Sequence, residues 1–95
     1  MDKKHFSPME KKEEQQFLNA LGRKIKQLRV EKDWSQERLG FKSNLDRTYI
    51  GGIERGERNL TVLNLKKIAD ALEVSVSDIL AEKPNNKDWF ICYHH

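Results

Sequence analysis

The chain has 95 residues, enough for one modest core but not for two. Its 18 basic and 15 acidic residues give a net charge of +3, which permits a polyanionic partner without requiring one. A single cysteine, Cys92, excludes an internal disulfide framework, no apolar run approaches the roughly 20 residues of a membrane span, and the N-terminus MDKKHFSPMEKKEEQQ has no apolar signal region, so a cytoplasmic setting with no membrane contact is expected.

Three zones follow one another. Residues 1–16 are polar, 17–81 carry regular apolar spacing, and 82–95 form a tail with a turn-rich EKPNNKD opening and an aromatic run, Trp89 to Tyr93. These are read as a polar extension, one folded domain and a C-terminal tail.

A first helix is predicted to open near Ser7, with Pro8 at its first position and Glu10 completing a capping pattern. Leu18, Leu21, Ile25 and Leu28 give it one apolar face, and it should end near Asp33-Trp34. Ser35 caps a second helix with Leu39 pointing inward, and Asn44 supplies the left-handed turn that stops it. Asp46 caps a third helix over Arg47–Arg55, with Ile50 and Ile53 buried and Gly56 closing its end. Thr61 caps a fourth, whose inward stripe is Val62, Leu65, Ile68, Ala69 and Leu72. Ser75 and Asp78 open a fifth, with Val76, Ile79 and Leu80 inside. Five short helices on short connections make a compact all-α domain.

From Gln36 to Glu54 the pattern is helix, tight turn, helix. A capped helix presents its first-turn side chains at its tip, so Arg47, Thr48 and Tyr49 can enter a major groove. There an arginine can donate a paired hydrogen bond to guanine. Gln36, at the start of the second helix, is placed to meet phosphate.

Residues 21–80, including SNLDRTYIGGIERGERNLT at 43–61, resemble the Cro- and phage-repressor-like helix-turn-helix family, and within it the controller proteins of restriction–modification systems. The resemblance implies a lambda-repressor-like fold and a transcription regulator that binds double-stranded DNA as a homodimer. Its operator would be roughly palindromic, with half-sites about 10–10.5 base pairs apart. It implies that Gln36 contacts the DNA backbone and braces the recognition helix. Arg47 reads bases, and Thr48 and Tyr49 contact DNA nearby. Arg55, Arg58 and Asn59 approach phosphates or the operator centre. Arg29 and Glu54 match a structural ion pair. Dimerisation falls to the fourth and fifth helices and their flanks, with Leu63, Val74 and Val76 as interface candidates.

The chain departs from the family pattern at Gly40, where alanine is usual, at Asn44, where glycine is usual, and at Gly51-Gly52 inside the recognition helix. Gly52 holds a position from which relatives reach bases, so its bare backbone suggests closer helix–DNA approach or a more pliable helix.

Plainer readings compete at several positions. Tyr49 serves equally well as a core-edge aromatic. Arg55 and Arg58 alternate with Glu54 and Glu57, as in a solvated charge cluster, although a loop beside the recognition helix favours phosphate for Arg58. Cys92, His94 and His95 lack the paired spacing of a metal site, so no metal and no cofactor are expected. No phosphate loop or nucleophile–base arrangement marks an enzyme. A phage-type repressor is the alternative within the class. An antitoxin-like module using the aromatic tail to hold a protein partner is the alternative outside it.

Overall fold

The computed structural model describes residues 10–81. Within them the chain forms α1 (Lys11–Glu31), α2 (Gln36–Ser43), α3 (Arg47–Glu54), α4 (Val62–Leu72) and α5 (Val76–Leu80), and no strand. Ser7, Pro8, Lys3, Lys4, the aromatic run from Trp89 and the terminal Cys92, His94 and His95 lie outside the described residues. No helix among the described residues is long and apolar enough to cross a membrane.

Four of the five helices start where side-chain oxygens predict. Ser35, Asp46, Thr61 and Ser75 each accept a backbone N–H of the first turn. The fifth, α1, opens at Lys11, and the start predicted at Ser7-Pro8 lies outside the described residues. Glu10 is extended there, and its N–H donates to the Glu13 carboxylate at 3.0 Å. The helix runs without a break through the polar-to-apolar change at residues 16 and 17.

Four helix ends close in the same way. A residue at the cap or directly after it turns left-handed, and the next N–H bonds back five positions. The left-handed residues are Asp33, Asn44, Gly56 and Glu73, and the matching bonds run from Trp34 N to Arg29 O, Leu45 N to Gly40 O, Glu57 N to Gly52 O and Val74 N to Ala69 O.

The core joins all five helices. Ile25, Leu39, Ile50, Ile53, Ile68 and Leu72 are fully buried, each contributing about 1.5–3 kcal/mol by burial. α1 packs on α3 and α5, and α2 packs on α3 and α4. α3 is thereby held from two sides.

Two apolar positions depart from the predicted stripes. Val62 is 81% exposed rather than buried. It is the first residue of α4, and a helical Cβ leans toward the N-terminus, so the side chain projects beyond the layer begun by Leu65. Leu80 is 41% exposed. In a helix of five residues Ile79 takes the inward position, and Leu80 is rotated about 100° away from it.

Candidate nucleic-acid interface

The turn between α2 and α3 is built for close approach. Asn44 sits left-handed at φ 61°. The Ser43 hydroxyl donates to Leu39 O at 2.7 Å, closing the last turn of α2. A Cβ on Gly40 would lie 2.7 Å from Leu45 O. The glycine at this position therefore follows from how tightly the chain folds back on α2. Asp46 then accepts the Thr48 N–H at 2.8 Å, and Arg47 and Thr48 stand exposed at the tip of α3.

Behind that tip the far end of α3 is fixed by one carboxylate. Arg29 reaches Glu54 with two parallel bonds, Nε to Oε2 at 2.7 Å and Nη2 to Oε1 at 3.0 Å. Arg29 Nη1 also donates to Trp34 O at 2.6 Å, and Gln36 Nε2 donates to Glu54 Oε1 at 3.0 Å. Both charged side chains are almost wholly buried. One carboxylate thus joins α1, α2 and α3, and every buried polar side-chain atom among the described residues has a partner.

The third component is the loop after α3. Gly52 is buried, and the place a side chain would take is filled by Arg58, whose Cγ lies 2.6 Å from an ideal Cβ there. Gly52 therefore packs directly beneath Arg58. The Arg58 guanidinium lies 5.7 Å from the centre of the Tyr49 ring, a cation–π distance. The Tyr49 hydroxyl donates to Asn59 O at 3.3 Å and accepts from Asn64 Nδ2 at 3.0 Å. Arg58 is thus laid across the outer face of α3.

Arg55 has a competing partner. Its Nε lies 3.1 Å from Glu57 Oε2 on an exposed surface. The hydrogen bond first and the opposite charge second hold the Glu57 carboxyl below its ordinary range and the Arg55 guanidinium above its own.

The candidates therefore divide. Arg47, Thr48, Arg55, Arg58 and Asn59 are each exposed, the first two at the tip of α3 and the others at its far end and in the following loop, which Tyr49 ties back to the helix through Asn59 and Arg58. Gln36 and Tyr49 are half-buried and hold that region in shape, and Gly52 makes room within it. Of the interface candidates, Leu63 is 65% exposed, while Val74 and Val76 pack partly against the core of their own chain. Sequence reading does not reach Asn64, Gln15 or Asn19. The available signal is slight: Gln15, Asn19, Gly22 and Arg29 recur on one side of α1, and the first two are uncharged amides.

The chain matches known proteins along this part of its length. A model of the helix-turn-helix family fits residues 25–79. Control protein C.BamHI of Bacillus amyloliquefaciens is 48% identical over 60 residues, which is 62% of this chain and 74% of that protein. The restriction-modification controller protein C.AhdI from Aeromonas hydrophila superposes with a TM-score of 0.65 and 44% identity, over 65% of this chain and 94% of that one. The controller protein C.Esp1396I, as a tetramer in complex with its natural 35 base-pair operator, gives a TM-score of 0.62 and 51% identity over 66% of this chain and 83% of that one.

Proposed function

Since the chain belongs to the helix-turn-helix family of DNA-binding transcription regulators, we propose that it is the controller of a restriction–modification operon and binds its operator as a dimer. The carrying observation is the surface made by the tip of α3 and the loop after it. Arg47 and Thr48 are exposed at a capped helix start, and Arg58 is held over the same helix. Arg47 reads a base edge and Thr48 lies beside it. Arg55, Arg58 and Asn59 meet the DNA backbone, and Gln36 supports the recognition helix through Glu54. The restriction–modification role rests on the likeness to C.BamHI and C.AhdI. The site of action is the cytoplasm, with DNA as the partner and no catalytic step.

Selection of bound fragments from random DNA tests this directly. The expected product is a roughly palindromic site with half-sites about 10–10.5 base pairs apart, or a multiple of that spacing. The same sequence should lie upstream of this protein's own gene, beside genes for a restriction enzyme and its methyltransferase. Fragments without two-fold symmetry would overturn the dimeric reading. A site remote from any such operon would overturn the controller assignment.

A further inference from the structure

The N-terminal turns of α1 lie before the segment that the family model matches, at residues 25–79. They nevertheless reach the operator-facing loop. Gln15 Nε2 donates to Gly56 O at 2.9 Å, across 41 positions of sequence, and to Asn19 Oδ1 at 2.9 Å. Both amide hydrogens of Gln15 are thus committed, one to the loop and one to the residue beside it. Asn19 presses on the same glycine: a Cβ at Gly56 would stand 2.1 Å from Asn19 Oδ1.

Gly56 is glycine for a reason beyond its backbone angle. Its φ is +77°, yet the other three left-handed helix closures hold Asp33, Asn44 and Glu73 with φ near +60°. A side chain is tolerated at those three ends. At Gly56 the occupied space belongs to α1. One turn further along, Gly22 lets α1 touch α3 directly, since a Cβ there would lie 2.3 Å from Ile53 O and 2.7 Å from Glu54 O. The α1 surface from Gln15 to Gly22 is therefore a continuous seat for the end of α3 and the first residues of the loop.

We propose that Gln15 and Asn19 are positioning residues for DNA binding: they clamp Gly56 so that Arg55 and Arg58, on either side of it, are presented to the DNA backbone. This rests on the phosphate role given above to the loop cations. Neither residue touches DNA, and neither carries charge. Their effect on binding therefore passes through the loop.

The absence of charge gives the test. Full-length Gln15→Ala and Arg58→Ala are compared with the parent on the selected operator over a range of salt concentrations. Arg58→Ala should lower the salt slope by about one. Gln15→Ala should weaken binding about five- to tenfold, the scale of one lost hydrogen bond, and should also flatten the slope although no charge is removed. In the Arg58→Ala background the further loss from Gln15→Ala should be smaller than in the parent, because only Arg55 is left for the clamp to present. Trypsin supplies an arm that involves no DNA: cleavage after Arg55 and Arg58 should be faster in Gln15→Ala, with other sites unaffected. Unchanged cleavage in Gln15→Ala overturns the clamp. So does an unchanged slope in Gln15→Ala where Arg58→Ala lowers it. If Arg58→Ala itself leaves the slope unchanged, the phosphate role of Arg58 fails. The clamp then stands or falls on cleavage and affinity.

Discussion

Arg29 and Glu54 form a bidentate pair 25 residues apart in sequence, with bonds of 2.7 and 3.0 Å and both side chains withdrawn from water. Neither faces the tip of α3, so the pair bears on folding and not on reading DNA. Arg29→Ala should lower unfolding stability by about 3–5 kcal/mol, because the Glu54 carboxylate is left buried with Gln36 as its remaining side-chain partner. Replacing both charges, as in Arg29→Met with Glu54→Leu, should recover most of that loss. Denaturant unfolding of the single and double variants checks both statements. A double variant as weak as the single one would mean that the charges themselves stabilise the fold.

Arg47 is the first residue of α3, and the side chain of its capping Asp46 is engaged by the Thr48 N–H. Arg47→Ala should therefore leave the fold intact and cost about 1–3 kcal/mol of operator binding, with preference relaxed at one base position. Binding to operators altered at single positions measures this. A loss equal for all sequences would reassign Arg47 to phosphate.

Gly52 and Arg58 make a sharper separation of fold from function. Gly52→Ala improves helix propensity by about 1 kcal/mol, but its Cβ would meet Arg58 Cγ at 2.6 Å. Arg58 belongs to an exposed loop and can swing aside. Stability should change by less than about 1 kcal/mol, while operator affinity should fall nearly as far as in Arg58→Ala. Thermal unfolding and DNA titration, run together, decide the matter. Full affinity in Gly52→Ala would show that the placement of Arg58 over α3 is immaterial.

Leu63 is 65% exposed beside Val62, which is 81% exposed. If the start of α4 is a dimer contact, Leu63→Glu should yield monomers in light scattering and weaken operator binding strongly, with the helical signal retained. A dimer of unaltered stability would move the interface elsewhere.

Glu57 restrains Arg55 through a hydrogen bond and opposite charge, which hold its carboxyl below the ordinary range. The contribution of that pair to folding is present above the ordinary carboxylate range and is lost as pH falls through the lowered value. Protonation also frees Arg55 and removes a negative charge from the loop. Glu57→Gln should therefore bind DNA of any sequence more tightly than the parent at neutral pH, and the two should converge in acid. Titration of nonspecific DNA at several pH values reads this out.

Much of the architecture is legible in the chain because it is locally encoded. Ser35, Asp46, Thr61 and Ser75 mark helix starts by chemistry that acts within three residues. Asn44 and Gly56 mark helix ends because their left-handed backbones suit those residue types. Glu73 closes a helix in the same way but carries no such mark. Val62 and Leu80 keep the right period and still face water, since periodicity does not state where a helix runs out of neighbours. The Gln15–Gly56 bond joins residues 41 apart and has no local signature. Gly52 stands out in sequence as a departure from the family, yet only the position of Arg58 explains it.

The Arg58–Gly52 contact also bears on how DNA preference could be exchanged between relatives. The outer surface of α3 is a composite of two stretches of chain, with the side chain at one helical position replaced by an arginine arriving from the loop. Transplanting residues 47–54 alone into a related scaffold would carry over a helix with a gap in its face. The smallest portable unit runs from the Asp46 cap through Asn59, and it needs a recipient whose first helix has room for the Gly56 closure.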